Sequence, residues 1–146
     1  MVEIEMLASA GYALEDHWND GCLQKLISSG YYDIVVVQQG PSSQTDGRTS
    51  LLEFGGRIHD LCLASNTELA FFMVWPAKIN YATFSGVIAN YTAAADATGS
   101  ILCPVGLKWK QLMDSGDFSY YGPDDFHPSL AGSTSAAEII YNSIFP

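Results

Sequence analysis

Positive charge is scarce in this chain: six lysines and arginines stand against sixteen aspartates and glutamates, a formal net charge of −10 over 146 residues. The basic residues form no cluster, which excludes the electrostatic footprint of a nucleic-acid-binding protein. Long apolar runs are also missing. The longest, such as Leu69–Pro76, fall well short of the ~20 residues that a membrane-spanning helix needs. The opening Met-Val-Glu-Ile-Glu-Met has neither the basic start nor the apolar length of a secretion signal. Cysteine is limited to Cys22, Cys62 and Cys103, an odd number with no CxxC spacing. Those thiols read as reduced and mostly buried, the expectation for a cytoplasmic chain as given, with the compartment open if a preceding segment carried a signal peptide. His17, His59 and His127 are scattered, and no metal-ligand spacing joins them to the cysteines.

What is present is a chain rich in core formers. Hydrophobic residues make up 48% and charged ones 15%, the balance of one well-packed domain over residues 1–146. Val2–Leu7 alternates apolar and acidic residues and predicts a short strand with one wet face. Ser9-Ala10-Gly11 is a turn. Leu14, Trp18, Cys22, Leu26 and Ile27 recur at helical spacing, predicting one helix over Leu14–Ser29 capped by Gly30. The β-branched run Ile34–Gln38 lacks polar alternation and predicts a strand covered on both faces, as in a parallel sheet. After the polar loop Gln39–Gly47, a helix is expected over Arg48–Ser65, with Leu51, Leu52, Ile58, Leu61 and Cys62 on its buried side. Strands are then expected at Glu68–Trp75 and Ile101–Cys103, with helices at Tyr81–Thr98, Leu107–Met113 and Pro128–Ile144. This alternation is that of an α/β fold with a mostly parallel sheet. In such folds reactive groups collect beyond the carboxyl ends of the strands. Gly11, the Gln39 loop, Trp75-Pro76 and Pro104-Val105-Gly106 should therefore share one rim with the loop that ends at His127.

That last loop holds the most informative residues, Gly122-Pro123-Asp124-Asp125-Phe126-His127-Pro128-Ser129-Leu130. Asp124, three residues before His127, can reach one imidazole nitrogen and leave the other free to act as a base. Pro128 biases His127 away from helix and suits a first helical position. On spacing alone the pair could equally be a loop-to-helix cap. Asp125 reads as a solvated neighbour. A nucleophile is harder to find. Ser9 has no strained elbow around it, Ser42 and Ser43 read as loop hydrogen-bonding residues, and the apolar neighbours of Cys103 suit a structural thiol. Trp75, Trp109, Tyr120 and Tyr121 form either an aromatic wall for a substrate or core filling.

Four segments together resemble the SGNH hydrolases, also called the GDSL esterase superfamily. They are Asp33-Ile-Val-Val-Val-Gln-Gln-Gly-Pro-Ser-Ser-Gln44, Met73-Val-Trp-Pro76, Cys103-Pro-Val-Gly106 with Trp109, and Gly122–Ser129. The resemblance implies a flavodoxin-like three-layer α/β/α sandwich that cleaves carboxyl esters, or O-acetyl and acyl groups on sugars and lipids, by a Ser-His-Asp triad without a cofactor. The partner it implies is a small-molecule or glycan ester. Carried over by position, His127 is the general base, Asp124 its orienting acid, and Gly11 a backbone donor to the oxyanion. The side-chain donor is Gln39 or Ser42, because the family's Gly-x-Asn-Asp block reads Gln38-Gln39-Gly40-Pro41-Ser42 here. Losing one such donor costs roughly 3 kcal/mol.

The block that carries the family's serine, in a Gly-Asp-Ser or Gly-Asn-Ser turn after the first strand, has no counterpart. The chain reads as starting at the family's second strand, with a gap expected in mid-sheet. A strand-turn-helix unit of about 30 residues would fill it. The resemblance thus implies an esterase nearly inactive as this chain alone. Two alternatives share the fold: a non-catalytic module that holds a glycan or acyl ligand, and a structural subunit whose open sheet is completed by another chain or by pairing of two copies.

Overall fold

Three parallel strands organise the chain. In the computed structural model, which describes residues 2–146, β1 (Ile34–Val37), β2 (Glu68–Phe72) and β3 (Ile101–Cys103) lie side by side in that order. Val35 pairs with Leu69 and Phe71 with Leu102. The connections are helical: α3 (Thr45–Ala64) joins β1 to β2, and α4 (Phe84–Thr98) joins β2 to β3. Right-handed crossovers between sequential neighbours put both helices on one face of the sheet, where they pack on each other and on β2. Two short helices, α1 (Leu14–Asp20) and α2 (Cys22–Ser28), extend that layer by packing on α3. After β3 come α5 (Val105–Asp114) and α6 (Leu130–Ile144), and α6 lies against β3 on the other face. The result is an α/β fold in three layers. No helix among the described residues is long and apolar enough to cross a membrane.

The apolar periodicity explains the layers. On α3, Leu51, Phe54, Gly55, Ile58 and Cys62 are buried, a stripe at helical spacing that meets β2 and α4. Leu51 and Ile58 are wholly buried, each stabilising the fold by about 1.5–3 kcal/mol. Leu52 and Leu61 pack at the margin of the same core. A second core gathers Phe84, Val105, Trp109, Met113, Tyr121 and Ala136 beneath the carboxyl ends of β2 and β3.

Several expectations are corrected. The single helix over Leu14–Ser29 is two, because Gly21 takes a left-handed conformation (φ +76°) that ends α1 and starts α2. Val2–Leu7 is not a strand. A strand needs a hydrogen-bonded neighbour, and this segment is held instead by side chains, Tyr31 and Tyr32 donating their hydroxyls to Glu3 and Glu5. β1 is not covered on both faces, since Val36 is 42% exposed, and among the described residues it pairs with β2 alone. The chain from Lys78 to Thr83 forms a tighter 3-10 turn before α4 begins. Pro128 lies outside α6, bridged to Tyr121. Ser129 is the N-cap, its hydroxyl accepting the Gly132 N–H at 3.1 Å.

Candidate active site

The carboxyl ends of β1 and β2 each carry a polar loop. Beyond β2, the chain through Trp75 and Pro76 supports the Asp124–His127 loop from below. Trp75 donates its indole N–H to Phe126 O (3.0 Å), Lys78 donates its backbone N–H to Asp125 O (2.9 Å), and Tyr121 donates its hydroxyl to Pro76 O (2.8 Å). Trp75 stacks on the buried Trp109 with ring centroids 3.6 Å apart, and Tyr121 meets Trp109 edge-on. The aromatic group is therefore core and platform. Gly132, at the start of α6, lets the helix approach closely: a Cβ there would sit 2.3 Å from Tyr120 O and 2.9 Å from the Trp109 ring.

Within the loop, Asp124 collects three donors. One carboxylate oxygen accepts the N–H groups of Phe126 (3.1 Å) and His127 (2.9 Å), and the other pairs with His127 Nδ1 at 2.5 Å. The imidazole contact, followed by the two N–H groups, lowers the Asp124 carboxyl to a pKa of about 2. An ionised Asp124 on Nδ1 fixes the tautomer with the proton there, so Nε2 is the lone-pair nitrogen. The His127 side chain is 74% exposed, and Nε2 has no protein partner among the described residues. Asp125 is exposed and pairs with Lys78 Nζ at 3.2 Å, an exposed ion pair worth little.

Beyond β1, the loop Gln38–Gln44 is held by α4. Tyr91 donates its hydroxyl to Gln39 O (2.5 Å) and Gly40 O (3.0 Å) and accepts the Gln39 N–H (3.3 Å). Asn90 donates to Ser42 O at 2.7 Å and accepts from Arg48 at 3.3 Å. Gln39 is buried, and its amide nitrogen donates to Ser42 Oγ (2.8 Å) and Gly47 O (3.3 Å). Its amide oxygen accepts the Leu14 N–H and the Ser50 hydroxyl, both at 3.3 Å. Ser42, at φ +54°, donates its hydroxyl to Gly40 O. Both side chains thus spend their hydrogens within the loop and on the first turn of α3. The Leu14 contact ties this loop to the Gly11 turn, where Gly11 adopts φ +76°. The N–H groups of Gly11 and Gly40 have no partner among the described residues.

The structure thus joins Asp124 to His127 directly, and joins Gln39 to Ser42 and, through Leu14, to the Gly11 turn. Sequence reasoning placed Trp75 at this rim but not its bond to the loop, and it missed Lys78, Asn90, Tyr91 and Arg48. A signal existed for one of them: Asn90 is a polar residue on the buried spacing of α4. Cys62 and Cys103 are buried and Cys22 is exposed. Burial pushes the Cys62 thiol up to about 11 and raises that of Cys103 as well. No group of three or more His, Cys, Asp or Glu among the described residues is placed to hold a metal ion.

No family profile matches the chain, and no curated protein matches it. Among solved structures, the chain is similar to a protein of Slackia heliotrinireducens described as a candidate SGNH hydrolase. The TM-score is 0.77 at 20% identity, over 92% of this chain and 80% of that one. The fold is that of the SGNH hydrolases.

Proposed function

We propose that the Asp124–His127 loop is the general-base half of an SGNH-type ester hydrolase, acting on carboxyl esters or O-acyl groups of small molecules or glycans. The observation that carries this reading is the 2.5 Å contact of Asp124 with His127 Nδ1, with Nε2 left free. In the reaction, His127 Nε2 takes the proton of a serine hydroxyl as that oxygen attacks the ester carbonyl. It then returns the proton to the leaving alcohol, while Asp124 stabilises the imidazolium. The free N–H groups of Gly11 and Gly40 are the oxyanion donors in this scheme, and Gln39 and Ser42 hold the loop that presents Gly40. In this reading the serine is supplied from outside residues 1–146, because the Gly-Asp-Ser or Gly-Asn-Ser block has no counterpart in the sequence and Cys103 is buried with a raised pKa.

The test is turnover of an aryl acetate by residues 1–146 alone, together with labelling by a fluorophosphonate. Near-absence of both is expected. Robust turnover that survives Ser9→Ala and Cys103→Ala would contradict an outside serine.

A further inference from the structure

The imidazole of His127 is held by little packing. Its side chain is 74% exposed, and the Phe126 ring meets it edge-on with centroids 4.9 Å apart. The backbone between Asp124 and His127 must therefore do the positioning, and that backbone is fully committed. The carbonyl of Asp125 accepts the Lys78 N–H (2.9 Å), that of Phe126 the Trp75 indole N–H (3.0 Å), and that of His127 the Gly122 N–H (2.7 Å). The Asp125 N–H donates to Gly122 O (3.1 Å), and the N–H groups of Phe126 and His127 both donate to the Asp124 carboxylate. Every backbone donor and acceptor from Asp125 to His127 is thus used, and a loop of another shape would break several of these bonds together.

That shape turns on one residue. Asp125 takes φ +56°, in the left-handed region that Asp and Asn enter more readily than other residues with a side chain. It is gripped there twice by the segment that follows β2. Lys78 donates its backbone N–H to the Asp125 carbonyl and places Nζ 3.2 Å from the Asp125 carboxylate. The same Nζ lies 4.8 Å from the centroid of the Phe118 ring, which limits where the lysine can reach.

We propose that Asp125 is a positioning residue for the base His127: its left-handed turn, gripped by Lys78, folds the Phe126 and His127 N–H groups back onto Asp124 and so seats Nδ1 against the same carboxylate. The catalytic consequence rests on the ester-hydrolase reading, whereas the turn itself does not. The position requires tolerance of positive φ and a short acceptor for Lys78. Charge is not the requirement, since an exposed ion pair contributes little and a second negative charge beside Asp124 opposes its ionisation. Asparagine meets both requirements, and alanine meets neither.

The test compares Asp125→Asn with Asp125→Ala in the protein expressed from its own gene. Both substitutions remove the same charge, so the electrostatic change cancels in the comparison. By carbon NMR the Asp124 midpoint should lie about half a unit or more higher in Asp125→Ala than in Asp125→Asn, because the imidazole contact is lost part of the time. With an aryl acetate, kcat should fall about threefold or more in Asp125→Ala with KM kept, and Asp125→Asn should restore it. Equal Asp124 midpoints in the two variants would overturn the proposal, as would a fall in kcat as large in Asp125→Asn as in Asp125→Ala. Absence of turnover by the unaltered protein would refute the ester-hydrolase reading instead, and the NMR comparison would still decide the role of the turn.

Discussion

Replacing Tyr91 with Phe isolates the bond that fixes the Gln39 loop. The ring is fully buried and stays in place, so no cavity opens and only the hydroxyl is lost. That hydroxyl is the partner of both backbone groups of Gln39, donating to its carbonyl and accepting its N–H. Burial holds the Tyr91 phenol well above its ordinary range, so it is a neutral donor at any working pH. Each buried backbone group left unsatisfied costs about 1–3 kcal/mol, and with partial relaxation the pair should cost about 2–4 kcal/mol. For a domain of this size each kcal/mol lowers Tm by roughly 2–4 °C, so Tyr91→Phe should melt about 5–15 °C lower. Calorimetry on both chains reads this, with Tyr141→Phe as control, since Tyr141 is 57% exposed. A Tm within 1 °C of the parent would refute the assignment of Tyr91 as the clamp on this loop.

Three further outcomes are expected. Asp124, lowered to a pKa of about 2, contributes stability that is complete above the ordinary carboxylate value near 4 and is lost as pH falls from there through 2. A carbon NMR titration should find its midpoint near 2 and an upward move in His127→Ala; a midpoint near 4 in the parent would contradict the pair. Of the three thiols only the exposed Cys22 should react promptly with an aromatic disulfide, the buried Cys62 and Cys103 waiting for unfolding; prompt reaction of two or more would show the cores to be open. Gly132→Ala drives a Cβ against Tyr120 O and the Trp109 ring and should cost about 1–3 kcal/mol, with a change in tryptophan fluorescence; an unchanged melt would place α6 farther from its platform.

The Asp124–His127 pair was legible in the sequence because three residues of loop suffice to bring the groups together. The strands Ile34–Val37 and Ile101–Cys103 and the stripe on α3 were legible for a similar reason, since each follows from local spacing. The Gly21 break was not, because a helical apolar period runs straight across it. Val2–Leu7 has the alternation of a strand, yet alternation sets only which face is wet and cannot supply the neighbour a strand must bond. The burial of Gln39 depends on Leu14, Gly47, Ser50 and Tyr91. Two of those lie 25 and 52 residues away, beyond the reach of any local pattern.

Hydrolysis of an aryl acetate by the protein expressed from its own gene, compared with its His127→Ala variant, tests the central claim most directly. The account predicts a fall of about 10³-fold or more in kcat with little change in KM, because the base acts in the transition state. No turnover by the unaltered protein, or turnover undiminished by His127→Ala, would contradict it.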